Sequence, residues 1–209
     1  MPQSNTLRRQ VHQLRVIAGE AKGRRIASSR RLGARPTTER VRSSLFSILE
    51  SNGLEGKRVI DLYAGTGTLG IEALSRGAEW ADFVEDNPKR CALLRRSLSE
   101  LRFTERSRVY CMKVERAIKS LDGAYDIVLM DPPYTLGPVH HVMEKVSGLT
   151  RDGGIVAAGH SKHHALDAEY GGLGLVRERR YGDTVCSIYQ ATGRAAVSQA
   201  TQQEGGEVW

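Results

Sequence analysis

The chain has 209 residues, 40% of them hydrophobic, which suits one domain with appendages and a genuine core. No apolar run approaches the roughly 18–20 residues of a membrane-spanning helix, and the segment Met1 to Gln10 lacks the apolar stretch of a secretory leader, so a cytoplasmic protein is expected. Net charge is +7, and the excess is early: between residues 8 and 50, eleven Lys or Arg face three Glu. Such an excess favours a polyanionic partner, because each neutralised phosphate releases counterions. Cys91, Cys111 and Cys186 are far apart and form no C-x-x-C, which argues against a disulfide frame or a zinc site.

In chain order, residues 1–14 are polar and expected to be mobile. Residues 15–56 read as a basic extension. It begins with a short hairpin, Leu14 to Gly19 and Arg24 to Ala27, turning near Glu20 to Gly23. A helix follows, opened by Pro36 and capped by Thr37 or Thr38. Its apolar face is Val41, Leu45, Phe46, Ile48 and Leu49, and Gly53 and Gly56 close it. Residues 57–190 alternate strand and helix. Strands are expected at Arg58–Leu62, Trp80–Glu85, Val109–Met112, Ile127–Met130 and Gly154–Ala158. Helices are expected at Thr68–Arg76, Pro88–Leu101, around Ala117 to Leu121, and at Val139–Val146. Two last strands, Leu175–Tyr181 and Thr184–Gln190, turn at Gly182-Asp183. Alternation implies an open, mostly parallel sheet, and the closing hairpin adds an antiparallel edge. Residues 191–209 read as a flexible tail.

Two motifs carry chemistry. Asp61-Leu62-Tyr63-Ala64-Gly65-Thr66-Gly67-Thr68-Leu69-Gly70 joins the first strand to its helix and contains G-x-G-x-x-G. Glu85 ends the second strand, where an acid can accept both hydroxyls of a ribose. A dinucleotide site turns its helix N-terminus to a pyrophosphate, and a carboxylate there is unhelpful. Asp61 stands at that point and suits a cation. S-adenosylmethionine has a ribose and adenine, no phosphate, and an ammonium and sulfonium, so Asp61 favours it over NAD. Asp86 either shapes the adenine pocket or caps the helix starting at Pro88.

The second motif, Asp131-Pro132-Pro133-Tyr134, ends the fourth strand. Two prolines cannot donate ladder hydrogen bonds, so the chain leaves the sheet there. A carboxylate, bare carbonyls and an aromatic face suit a flat base with an exocyclic amine. Asp131 and the Pro132 carbonyl accept its hydrogens while Tyr134 stacks on the ring. If the first and fourth strands are neighbours across a switch in strand order, Asp61 and Asp131 open into one crevice. His160, His163 and His164 lack a supporting carboxylate pattern, and no metal is expected.

These residues together resemble class I methyltransferases. Arg15 to Gly19 with Lys22-Gly23-Arg24, Arg35-Pro36-Thr37-Thr38-Glu39-Arg40 to Phe46, and Arg179 to Thr184 are similar to the RsmD-type 16S rRNA guanine-N2 methyltransferases. The resemblance spans about Arg15 to Gln190. It implies a Rossmann-like α/β fold with a seven-stranded, mostly parallel sheet, and S-adenosylmethionine as cofactor. The target it implies is the N2 amine of a guanine (guanine 966 in the family) in 16S rRNA of the assembling small ribosomal subunit. Thr37 joins Asp61, Tyr63, Ala64, Gly65, Thr66, Gly67, Leu69, Glu85 and Asp86 around the cofactor. Many relatives carry Asp where this chain has Glu115 or Arg116, leaving adenine to Glu115 or to a carbonyl near Val114. RNA contacts are expected from Arg15, Lys22, Arg24, Arg25 and Arg35, on a monomer without membrane association. The rival readings are a DNA adenine-N6 or other RNA amino methyltransferase, a protein glutamine methyltransferase, a silent RNA-binding protein, and an NAD oxidoreductase.

Overall fold

The computed structural model describes residues 14–27, 38–123, 125–133 and 139–192. Arg35, Thr37, Tyr134 and most of the two expected flexible ends lie outside the described residues.

Helix α1 spans Glu39–Ser51, and the Thr38 side chain caps it by accepting from the Val41 N–H. Strand β1 (Arg58–Leu62) leads to α2 (Thr68–Ser75), β2 (Trp80–Glu85), α3 (Pro88–Leu101) and β3 (Ser107–Cys111). Then come α4 (Val114–Ser120), β4 (Tyr125–Met130), α5 (His140–Val146), β5 (Thr150–Ser161), β6 (Glu169–Tyr170), β7 (Leu173–Tyr181) and β8 (Thr184–Ala191). Asn87, not Asp86, caps α3, accepting from the Lys89 and Arg90 N–H groups, with Pro88 at the first helical position.

The strands form one sheet in the order β3-β2-β1-β4-β5-β8-β7-β6. Pairing is parallel from β3 to β5 and antiparallel from β5 to β6. The sheet thus has eight strands where seven are expected. The extra one is the two-residue β6, folded onto β7 by Gly171-Gly172, both with positive φ, +47° and +98°. A two-residue loop of that conformation matches the twist of paired strands. A two-residue strand carries no alternation that a sequence reading can detect.

Both faces of the sheet are covered, so β1, β2 and β4 read as nearly continuous apolar runs. One face packs on α1, α2 and α3 through Phe46, Leu49, Leu74, Phe83 and Leu94. The other packs on α4 and α5 through Ala117, Val142, Met143 and Val146.

The N-terminal hairpin is reduced to one antiparallel bridge, Arg15 with Arg25. Its few apolar side chains, Val16, Ala21 and Ile26, enter the same core as α1 to α3. Backbone donors hold it there. The Ile17 and Ala18 N–H groups donate to the Glu72 carboxylate of α2 at 2.8 and 3.0 Å. Glu72 also meets Arg76 at 2.8 Å and the fully buried Arg42 of α1 at 3.7 Å. Arg42 in turn donates to the Arg15 carbonyl. Burial pulls the Arg42 pKa down, and the Glu72 charge opposes that shift. One carboxylate therefore fastens the extension to α1 and α2.

Candidate active site

Strand order reverses between β1 and β4, which pair directly, so the expected switch point is present. Asp61 pairs in register with Leu129 of β4 and Phe83 of β2, residues of the α1–α3 face. Asp131 lies two residues beyond Leu129, so strand alternation aims it to that face as well. The two carboxylates share one crevice at the strand ends, and the Asp131 charge reaches Asp61.

Asp61 is buried, and its Oδ2 accepts the Gly70 N–H at 2.9 Å. Burial pushes its pKa up to about 7; the Gly70 hydrogen bond opposes this, and the charges of Asp131 and Glu85 add to it. A carboxyl so desolvated ionises readily only when a cation faces it. From β1 it reaches the first turn of α2, the place where a dinucleotide would present its pyrophosphate.

The three glycines of the turn differ in use. A Cβ on Gly70 would meet the Phe83 ring at 2.3 Å, and one on Gly67 would meet Leu94 at 2.2 Å, so both serve close packing. Around Gly65 a Cβ would find only the Tyr63 carbonyl, at 3.9 Å. Gly65 is the position where a ligand can approach the backbone. Tyr63 holds φ at +61°, costly for a bulky residue and frequent at functional sites.

Glu85 is buried and pins this turn. It accepts the Gly65 and Asn87 N–H groups, each at 2.8 Å, and pairs with Arg90 at 3.3 Å. Arg90 reaches the second oxygen too, at 3.5 Å, so the roughly four acceptor sites of the carboxylate are all met, and a ribose hydroxyl would bind here by displacing the long Arg90 contacts. The Tyr63 hydroxyl pKa is raised to about 12, first by burial and then by the charges of Glu115 and Asp86. Those three expected cofactor residues are therefore brought together. Ala64 and Thr66 are buried within the turn, Leu69 is buried in α2, and Val114 is buried at the start of α4.

Asp131 is half-buried, Pro132 buried and Pro133 exposed. The Asp131 carboxylate lies over Gly159 of β5, where a Cβ would come within 2.7 Å of Oδ1. Cys186, paired with Gly159 from β8, has its thiol pushed up to about 12 by burial, with Asp131 adding to the shift. Sequence reasoning missed Gly159 and the pinning role of Arg90. Gly159 lies in an apolar strand, where an isolated glycine signals close backbone or side-chain approach.

The structure does not bring the expected RNA residues of the hairpin to this crevice. Glu20 and Ala21 dock on Ser75, the last residue of α2. The site lies at the other end of that helix, roughly 12 Å away. The Arg24 guanidinium donates to the Glu100 and Leu101 carbonyls at the end of α3. Arg15 donates to the Gly23 carbonyl at 2.8 Å, while Lys22 and Arg25 are exposed. Of the histidines, His160 is buried, its ring facing the Ser161 carbonyl and the Ser187 hydroxyl.

The family model described as "Conserved hypothetical protein 95" matches residues 14–190. The chain belongs to this family, the RsmD-type methylases. The Bacillus subtilis protein named "Putative rRNA methyltransferase YlbH" is 34% identical, over 86% of this chain and 100% of its own length. "Ribosomal RNA small subunit methyltransferase D" of Escherichia coli is 28% identical over 85% of this chain and 90% of its own. Among solved structures, "Putative methyltransferase yhhF from Escherichia coli" superposes with a TM-score of 0.77 at 26% identity. It covers 87% of this chain and 99% of its own. The Rossmann-like fold and the RsmD-type family are thus as the sequence reading has them, save for the eighth strand.

Proposed function

We propose that this protein is a 16S rRNA (guanine-N2-)-methyltransferase that uses S-adenosylmethionine and acts in the cytoplasm, as a monomer, on the assembling small ribosomal subunit. The observation that carries this reading is the pair Asp61 and Asp131 on one face at the ends of adjacent strands. Membership of a family whose relatives are named rRNA methyltransferases supports the substrate class. Among the described residues no helix is long and apolar enough to cross a membrane.

The residues present fit the methyl donor. Asp61 supplies a buried carboxylate for its ammonium, Gly65 an open approach, and Glu85 a carboxylate that its ribose would reach by displacing Arg90. Tyr63, Asp86, Glu115 and Val114 stand where adenine would lie. When bound, the donor supplies an electrophilic methyl on a sulfonium. The protein supplies alignment and electrostatics. A guanine amine is a weak nucleophile because its lone pair is delocalised into the ring. Asp131 and the Pro132 carbonyl accept its two hydrogens, orient the lone pair toward the methyl, and favour the charge that develops on nitrogen. Asp131 takes the released proton late. Tyr134 stacks on the base, worth roughly 1–3 kcal/mol against the cost of leaving its own stack.

Residues 57–190 carry this chemistry and residues 15–56 form the extension, with Arg15, Lys22, Arg24, Arg25 and Arg35 as its RNA contacts; the α3 bonds of Arg24 compete with that role. The test is incubation with labelled donor and small subunits, naked rRNA or DNA, followed by identification of the modified nucleoside. N2-methylguanosine from the subunit is expected. N6-methyladenosine from DNA or RNA would overturn the substrate assignment. Asp131→Ala is expected to lower turnover on the order of 100-fold, as for loss of one preorganised polar group. Undiminished turnover in that variant would refute the role given to Asp131.

A further inference from the structure

Far along the sheet from the glycine turn, α1 and β7 border a cleft of about 490 Å³. Its chemistry is one-sided. From β7 come Arg177, Arg179 and Arg180, and from α1 come Ser44, Ser47 and Ser51. Among the described residues none of these three guanidiniums forms a salt bridge; Arg180 donates to the Gly182 carbonyl and its charge acts on Asp183, which Lys162 already pairs. The acid between them in sequence, Glu178, accepts the Ser187 hydroxyl at 2.9 Å. Ser187 is a neighbour of Cys186 on β8, so alternation places Glu178 on the face opposite Arg179, which pairs with Cys186; Arg180, paired with Val185, follows Glu178, so Arg177 and Arg179 are the two arginines that alternation aims at α1, with Arg180 at the cleft's rim.

The α1 side is equally selective. Ser44, Ser47 and Ser51 fall at i, i+3 and i+7, one face of the helix. Serine is a poorer helix former than the Glu, Lys or Gln that ordinarily fill an exposed face. These positions add no acid that would neutralise the arginines; the Ser51 hydroxyl already donates to the Ile48 carbonyl at 2.8 Å, which leaves Ser44 and Ser47 as the hydroxyls on offer. The Tyr181 hydroxyl donates to the Ser44 hydroxyl and ties the two walls of the cleft together.

The cleft is also in line with the site. Asp131 lies over Gly159, Gly159 pairs with Cys186, and Cys186 pairs with Arg179. These residues form one row on one face of the sheet. Three interstrand steps separate its ends, roughly 14 Å. We infer that the α1–β7 cleft binds phosphates of the substrate RNA strand on one side of the target nucleotide. Guanidinium and hydroxyl groups are the usual donors to phosphate and set register without reading bases. This inference rests on the reading of the protein as an RNA methyltransferase.

The test uses the full chain and a small-subunit rRNA fragment. Affinity is measured over a series of salt concentrations for the wild type, Arg177→Ala/Arg179→Ala and Arg177→Lys/Arg179→Lys. S-adenosylmethionine affinity and thermal stability are recorded for each. Loss of two phosphate contacts should lower affinity about tenfold or more and reduce the salt slope by about 1.4, the single-strand value for two charges. The Lys variant should retain most of the slope, and cofactor affinity should not move. Unchanged affinity and slope in the Ala variant would overturn the inference, as would polyglutamate competing as well as RNA. If the wild type methylates the subunit but the Ala variant binds RNA normally, the cleft assignment fails and the enzymatic reading stands. If the variant loses RNA affinity while the wild type methylates no RNA, the cleft assignment stands and the enzymatic reading fails.

Discussion

Replacing Gly159 by Ala tests whether the position of the Asp131 carboxylate matters separately from its chemistry. The added Cβ would stand 2.7 Å from Asp131 Oδ1, whereas ordinary contact begins near 3.4 Å. The carboxylate must therefore retreat by about 0.7 Å. Gly159 does not have a left-handed φ, so the backbone accepts alanine without strain. The atom it meets is the end of a side chain, so the fold tolerates the change. A misplacement of about 1 Å at a reacting centre can cost about 100-fold, so turnover should fall on the order of 10- to 100-fold. That corresponds to a barrier higher by about 1.4–2.7 kcal/mol. Gly148→Ala is the control, because its added Cβ meets nothing within 4 Å. Single-turnover methyl transfer to small subunits, with cofactor affinity measured alongside, reads the effect. If Gly159→Ala retains the wild-type rate while Asp131→Ala does not, the carboxylate need not stay where it lies, and the positional argument is wrong.

Two further predictions concern buried charge. Glu72→Ala leaves the fully buried Arg42 without its counterion and frees the Ile17 and Ala18 N–H groups. Breaking such a pair typically costs about 3–5 kcal/mol, so urea unfolding should show a loss of that order; a loss under about 1 kcal/mol would deny Glu72 its fastening role. Asp61 titrates near 3.8 when unfolded and at about 7 in the folded chain. Between those values the folded state holds the extra proton, so without the methyl donor this group's contribution to stability falls as pH rises from about 4 to about 7 and is level above. Asp61→Asn should remove that component, so the variant should gain on the wild type between about pH 4 and pH 7 in denaturation midpoints. Donor affinity should rise over the same interval in the wild type only, as the carboxylate ionises to meet the ammonium. Parallel pH profiles for the two proteins would refute the assignment.

What the sequence by itself determined is local. Continuous apolar runs mark strands buried on both faces, the Asp61–Gly70 turn marks a ligand-binding junction, and Asp131-Pro132-Pro133 ends β4 because prolines cannot continue a ladder. Each follows from the residue and its near neighbours. Tertiary structure decided whatever depends on groups far apart in the chain. β1 pairs with β4 across more than sixty residues, and only that pairing puts Asp61 and Asp131 on one crevice. A charge count cannot separate Arg42, buried on Glu72, or Arg24, bonded to the end of α3, from a cation facing solvent. The early basic excess is thus partly structural. Two arginines without a salt bridge lie instead on β7, where the sequence shows Arg177 and Arg179 interleaved with an acid. Strand alternation and the pairing with β8 turn that acid to the other face, and pairing is a property of two segments, not of one.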